Sequence, residues 1–178
     1  MRIALAMIAA APWLCAQSVQ AMPSTPELGK AEGACRTNET GPALRVAIEG
    51  LKDRVGLLKL EVYPANEKDF LADDNVLVMA GKTFRRVEKT VPPSGPISLC
   101  IRVPSAGTYA LSLLHDRDGN RKFGWTVDGI GFSNNPRLGW SKPKAEKVAI
   151  AASSGITPLT ITLNYRRGLG VAPLRRDN

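Results

Sequence analysis

Apolar and polar side chains alternate one for one along several short stretches of this chain, the period of a strand with one buried face. The first stretch sets Leu44, Val46 and Ile48 against Arg45, Ala47 and Glu49. The second sets Leu58, Leu60 and Val62 against Lys59, Glu61 and Tyr63, after a connection bracketed by Gly50 and Gly56. Together they predict an antiparallel hairpin with a longer than minimal loop. Residues 64–81 mix turn formers with short apolar pieces and read as mostly irregular. Residues 82–91 place Thr, Phe and Val among charges, as an edge strand does to discourage pairing with another chain, and Pro92–Pro93 ends them.

Ile97, Leu99 and Ile101 alternate with Ser98, Cys100 and Arg102, which puts Cys100 on the outer face. Tyr109, Leu111 and Leu113 alternate with Ala110, Ser112 and Leu114. Apolar residues on both faces predict a central strand there. Val148 and Ile150 mark a short strand, and Leu159, Ile161, Leu163 and Tyr165 form the cleanest alternation in the chain. No stretch carries an amphipathic helical period. About seven short strands between Gly/Pro turns predict an all-β fold, an antiparallel sandwich of immunoglobulin-like or transthyretin-like kind. Its core is expected where Tyr109, Leu111 and Leu113 oppose Leu159, Ile161 and Leu163.

The two ends do not share this pattern. Arg2, the apolar run Ile3–Leu14 and the small or polar residues up to Ala21 follow the order of a secretory signal peptide over residues 1–21. The run is too short to span a bilayer. Cys15 follows bulky Trp13 and Leu14, where a lipoprotein signal would have small residues. The expected product is therefore exported and soluble, periplasmic or secreted, with no transmembrane segment in the mature chain. Residues 22–42, with three of their positions Gly and three Pro, read as an extended leader, residues 43–166 as the sandwich, and residues 167–178 as a basic, partly mobile tail. Once Cys15 leaves, Cys35 and Cys100 remain, and an oxidising compartment predicts a disulfide between them that clamps the leader to the sheet's outer surface.

The full chain carries a net charge of +8. Export excludes nucleic acid as a partner and leaves an anionic envelope surface or polysaccharide, beside the plainer role of a solvated surface.

Candidate chemistry concentrates in Tyr109–Asn135, which holds the only His. Asp116, Asp118 and Asn120 occupy alternate positions, as in the first half of a calcium-binding loop. Arg121 and Val127 stand where such a loop has its Gly and its bidentate Glu, so a tight Asx turn is the favoured reading and calcium the alternative. His115 beside Asp116 invites a hydrolase reading, with Ser133 as a conceivable nucleophile. Ser112 falls on the opposite face, there is no nucleophile elbow, and a structural His is favoured. Trp125, Phe132 and Trp140, interleaved with glycines and with Asn134 and Asn135, could grip a sugar ring or form a small hydrophobic cluster under a loop. The ligand-binding candidates are thus His115, Asp116, Trp125, Phe132, Asn134 and Asn135.

The segments Gly107-Thr108-Tyr109-Ala110, His115-Asp116 with Asn120, and Gly131-Phe132-Ser133-Asn134-Asn135, in this order, resemble a bacterial exported family catalogued as domain of unknown function 2141, over Leu44–Pro173. The resemblance implies a periplasmic or secreted β-sandwich with no established activity. Asp118, Arg121 and Gly124 depart from the family's loop pattern, which bears against a shared ion site. The expected function is a non-enzymatic binding or structural module of the envelope without a cofactor. Its alternatives are a calcium-stabilised adhesion or carbohydrate-binding module and an envelope hydrolase.

Overall fold

A computed structural model describes residues 21–174. The predicted signal peptide (residues 1–20 of it), Arg175 and Arg176 lie outside the described residues. The alternating stretches become strands of two facing sheets. In the smaller sheet, β1 (Ala43–Glu49) lies between β4 (Ile97–Arg102) and β8 (Ile156–Thr162). The larger sheet is built on the ten-residue β5 (Gly107–Asp116). One edge of β5 pairs with β2 (Leu57–Pro64), which pairs in turn with β3 (Arg85–Thr90). Its other edge is shared, the first half pairing with β7 (Ala149–Ala152) and the second with β6 (Gly129–Phe132). Beyond β6 come β9 (Asn164–Arg167) and β10 (Gly170–Pro173).

The core forms between the sheets as the alternation predicts. Leu44, Val46, Ile101 and Ile161 from the smaller sheet meet Leu58, Leu60, Leu111 and Leu113 from the larger, all fully buried or nearly so. Each such side chain contributes about 1.5–3 kcal/mol by leaving water. Tyr109, Leu111 and Leu113 share this core with Ile161, Leu163 and the partly buried Leu159. A second apolar cluster covers the outer face of the larger sheet, with Tyr63, Phe70, Leu77, Phe84, Phe132 and Val148. Covered on both faces, β5 is the central strand its sequence predicts, and the charged β3 lies at the sheet's end.

Several expectations are corrected. β1 and β2 form no hairpin: they lie in opposite sheets, and Gly50–Gly56 crosses the sandwich between them. Alternation identifies the buried face of a strand but not its hydrogen-bonded neighbour, so two strands facing each other across a core read like two lying side by side. The sheets are not wholly antiparallel, because β1 runs parallel to β8, Val46 opposite Leu159. The run Leu159–Tyr165 is not one strand. It breaks at Leu163, whose amide donates to the Glu49 carbonyl at 2.9 Å, and continues in the other sheet as β9. With β6, β9 and β10 the strands number ten among the described residues rather than seven. The expected mobile tail is, as far as Leu174, the edge strand β10, with Ala172 opposite Tyr165.

Residues 64–81 include α2 (Asp74–Met79), whose Leu77 joins Phe70 on the outer cluster. The leader is not wholly extended either, since it contains α1 (Lys30–Gly33). It runs from β3, where Arg86 donates its backbone amide to the Gly29 carbonyl at 3.1 Å, to β4, where Ala34 pairs with Ile101. The Cys35–Cys100 disulfide fastens it there, with Cα atoms 5.8 Å apart. The Ala34–Cys35 end of the leader thus lies along the β4 edge, while Thr25–Leu28 lies on the outer face of the larger sheet. Closing a loop of 65 residues stabilises the fold by about 4 kcal/mol in the chain-entropy account. No helix among the described residues is long and apolar enough to cross a membrane.

Candidate functional site: loops around beta5 and the exposed aromatic face

His115 closes the core side of β5 and is completely buried. Its Nε2 faces the Val55 carbonyl at 2.8 Å, which can only accept, so Nε2 carries the proton. Its Nδ1 then accepts from the Tyr165 hydroxyl at 2.7 Å, and that hydroxyl accepts from the Lys52 amide at 3.1 Å. Burial holds the His115 pKa below the ordinary imidazole value. The same burial pushes Tyr165 up to about 12. The imidazole joins β5, β9 and the Lys52–Val55 connection, and Asp53 lies 3.9 Å from it.

Asp116 is also fully buried, on the opposite face of β5. One carboxylate oxygen accepts from the Gly119 and Asn120 amides at 2.9 and 3.1 Å, the other from the Arg121 amide at 2.6 Å. Gly119 takes φ +74°, so the favoured Asx turn is what forms. Asp128 closes the far end of the loop by accepting from the Arg117 and Gly124 amides at 2.8 and 2.7 Å. Asp118 accepts from the Asn120 amide and side chain. Carboxylate oxygens of Asp116, Asp118 and Asp128 come within 4.8 Å of one another. Asn120 is directed elsewhere, its side-chain oxygen accepting from the Lys122 amide. Burial, with Asp118 and Asp128 nearby, raises the Asp116 pKa.

Ser133, Asn134 and Asn135 act as stitches. The chain leaves the larger sheet after β6 and returns at β7, which leaves the Leu111 amide without a ladder partner on that edge of β5. The Ser133 hydroxyl fills that gap, accepting from the Leu111 amide at 3.1 Å and donating to the Val148 carbonyl. Asn134 donates to the Ala149 carbonyl at 2.7 Å. Asn135 accepts from the Thr162 amide at 2.7 Å and donates to the Thr160 carbonyl at 2.9 Å, so its amide caps the free edge of β8 as another strand would. Both asparagines have positive φ, which Asn tolerates. Two glycines admit the neighbouring side chains: a Cβ on Gly129 would lie 2.4 Å from the Tyr165 ring, and one on Gly131 would lie 2.6 Å from the Ile161 side chain. Phe132 is buried in the outer cluster.

Of the aromatic residues singled out in the sequence, Trp140 is exposed and Trp125 half-buried, while Phe132 is covered. The two indole rings stack 6.1 Å apart at 19°, and Trp140 is 78 % exposed. Phe123, 43 % exposed, lines the same cavity as both indoles and sits with Trp125 on the loop that Asp116 and Asp128 fix. Cavities of about 190 and 460 Å³ both have Trp140 in their walls.

A second concave surface, of about 350 Å³, lies on the outer face of the larger sheet and is strongly charged. Arg86 binds Glu61 at 2.8 Å and Asp74 at 3.0 Å, and donates to the Thr25 carbonyl at 3.1 Å. Glu61 also accepts from the Tyr63 hydroxyl at 2.7 Å. Burial opposes the Arg86 charge, but Glu61 and Asp74 raise its pKa all the same. This network ties α2 and the leader to β2 and β3. The alternation missed it, although its signal is in the sequence: in register, Lys59 faces Glu88 and Glu61 faces Arg86, two opposite-charge cross-strand pairs.

The fold and these loops define a two-sheet β-sandwich module whose family-like motifs hold loops in place beneath an exposed aromatic face. The chain belongs to the family of uncharacterized proteins conserved in bacteria catalogued as DUF2141, which matches residues 46–159. No curated protein and no solved structure matches it significantly.

Proposed function

We propose that this protein is an exported, non-enzymatic β-sandwich module of the bacterial envelope that binds carbohydrate through the Trp125–Trp140 face. The observation that carries this reading is the Trp125–Trp140 stack with Trp140 78 % exposed. A large indole is ordinarily buried to a high degree, and holding one in water beside concave surfaces is consistent with a ring-stacking platform. The signal-like N-terminus and the Cys35–Cys100 pairing support a periplasmic or secreted location. The occupied nitrogens of buried His115 favour a non-enzymatic role over a hydrolase. Binding to a panel of soluble and insoluble bacterial glycans tests the proposal. Trp140→Ala should abolish retention without lowering the thermal midpoint, and equal retention by the variant would count against it.

A second reading, calcium stabilisation, draws on the convergence of Asp116, Asp118 and Asp128. The backbone amides already bound to these carboxylates speak for a structural turn instead. A calcium-dependent rise in thermal midpoint that Asp118→Asn removes would support the ion.

A further inference from the structure

Resting on the carbohydrate-binding reading above, we propose that the ligand is an acidic polysaccharide and that Arg137 recognises its carboxylate groups. Arg137 lines the larger cavity beside Trp140, while Lys142 lines the smaller one. Neither cavity has an Asp or Glu in its walls. Arg137 is exposed, and among the described residues it has no hydrogen bond or ion pair. The other arginines of the neighbouring loops are engaged: Arg117 binds Asp53 at 2.5 Å and Arg121 binds Glu88 at 3.3 Å. Lys142 is engaged too, donating to the Phe70 carbonyl at 2.8 Å with its ammonium 5.6 Å from the Phe70 ring centroid. Arg137 is thus, among the described residues, an uncommitted cation in the wall of the cavity beside Trp140.

A planar guanidinium presents two parallel donors that match a carboxylate, a geometry an ammonium lacks. The Trp125 ring runs nearly parallel to the Trp140 indole with centroids 6.1 Å apart, and Trp140 stays 78 % exposed, which leaves indole surface open to a sugar ring. A polymer crossing from one cavity to the other stacks on Trp140 and brings an acidic substituent within reach of Arg137. The larger cavity, about 460 Å³, has the size of a small-ligand site. Its walls set Asn135, Thr162 and Asn164 among Pro136, Leu138 and Val171, so the surface beside the indole is concave and mixes polar with apolar groups. A bilayer surface would be met better by a flat or convex apolar face.

Affinity electrophoresis of the full chain, disulfide intact, tests this in gels containing polygalacturonate or neutral pullulan. Polygalacturonate should retard the protein more than pullulan does, and added salt should weaken that retardation because the ionic contact is exposed. Arg137→Gln should weaken polygalacturonate binding about tenfold, equivalent to roughly 1.4 kcal/mol, and leave pullulan binding unchanged. Trp140→Ala should abolish both. Equal retardation in the two gels, or an Arg137→Gln variant that behaves as wild type while Trp140→Ala still loses binding, overturns the acidic preference and leaves the glycan reading standing. No retardation in either gel, or a Trp140→Ala variant unchanged in both, overturns both. Flotation with phosphatidylglycerol vesicles, lost in Arg137→Gln and without polygalacturonate retardation, overturns it in favour of a membrane surface.

Discussion

The Tyr165 hydroxyl donates to His115 Nδ1 at 2.7 Å while the Nε2 of the same ring is fixed on the Val55 carbonyl, so the only histidine of the chain is held neutral inside the fold. Protonation would put a second N–H at Nδ1, where the Tyr165 proton already points. The His115 pKa is accordingly lowered in the folded state, and an unfolded chain binds this proton at higher pH than the native one. The contribution is complete above an unfolded pKa of about 6.5 and is lost as pH falls from there through the lowered folded value. Denaturant midpoints of wild type should decline across that window, and His115→Gln should remove this part of the slope. An unchanged slope in the variant would show that His115 titrates alike in both states.

Gly129 is where the Tyr165 ring crosses β6. Gly129→Ala should cost about 1–3 kcal/mol by overpacking. Gly139→Ala, which meets nothing within 4 Å, should change stability by less than about 0.5 kcal/mol. Urea unfolding of the two variants side by side gives the comparison, and similar losses would mean that the close approach at Gly129 is relieved by movement.

The phase of the two principal strands is open to the same measurement. Leu111→Ala and Ile161→Ala each empty a fully buried site in the core and should cost roughly 2–5 kcal/mol. Thr162→Ala, on the other face of β8, should cost well under half of that. A reversed order at positions 161 and 162 would place the wrong face of β8 inward.

Asn135 is expected to protect an edge. Asn135→Ala leaves the Thr162 amide and the Thr160 carbonyl without their side-chain partner, so stability should fall by about 1 kcal/mol. Hydrogen exchange at Thr162 should quicken more than at Ile161. Equal exchange in variant and wild type would mean that the side chain gives the edge no protection.

The sequence by itself determined which residues are inside. Alternation at Leu44–Ile48, Leu58–Val62, Tyr109–Leu113 and Leu159–Leu163 survives in the structure because burying one face of a strand is a local demand that each strand meets on its own. The turn at Asp116 was legible for a similar reason, since its partners lie three to five residues away. So was the Cys35–Cys100 bridge, because only two cysteines remain outside the predicted signal peptide.

Only the tertiary structure decided which strands are neighbours. A hydrogen-bonded ladder leaves no periodic trace in either partner, so the parallel β1/β8 pair and the sheet change at Leu163 could not be read in advance. Long-range partners were hidden likewise. His115 meets Tyr165 across 50 residues, and Asn135 meets Thr160 and Thr162 across 25 and 27, so motif residues with a chemical look became structural ones. Exposure was decided the same way. Phe132 and Trp140 stand eight positions apart in one aromatic, glycine-rich stretch, yet neighbouring elements cover the first and leave the second in water, a difference that composition and spacing do not encode.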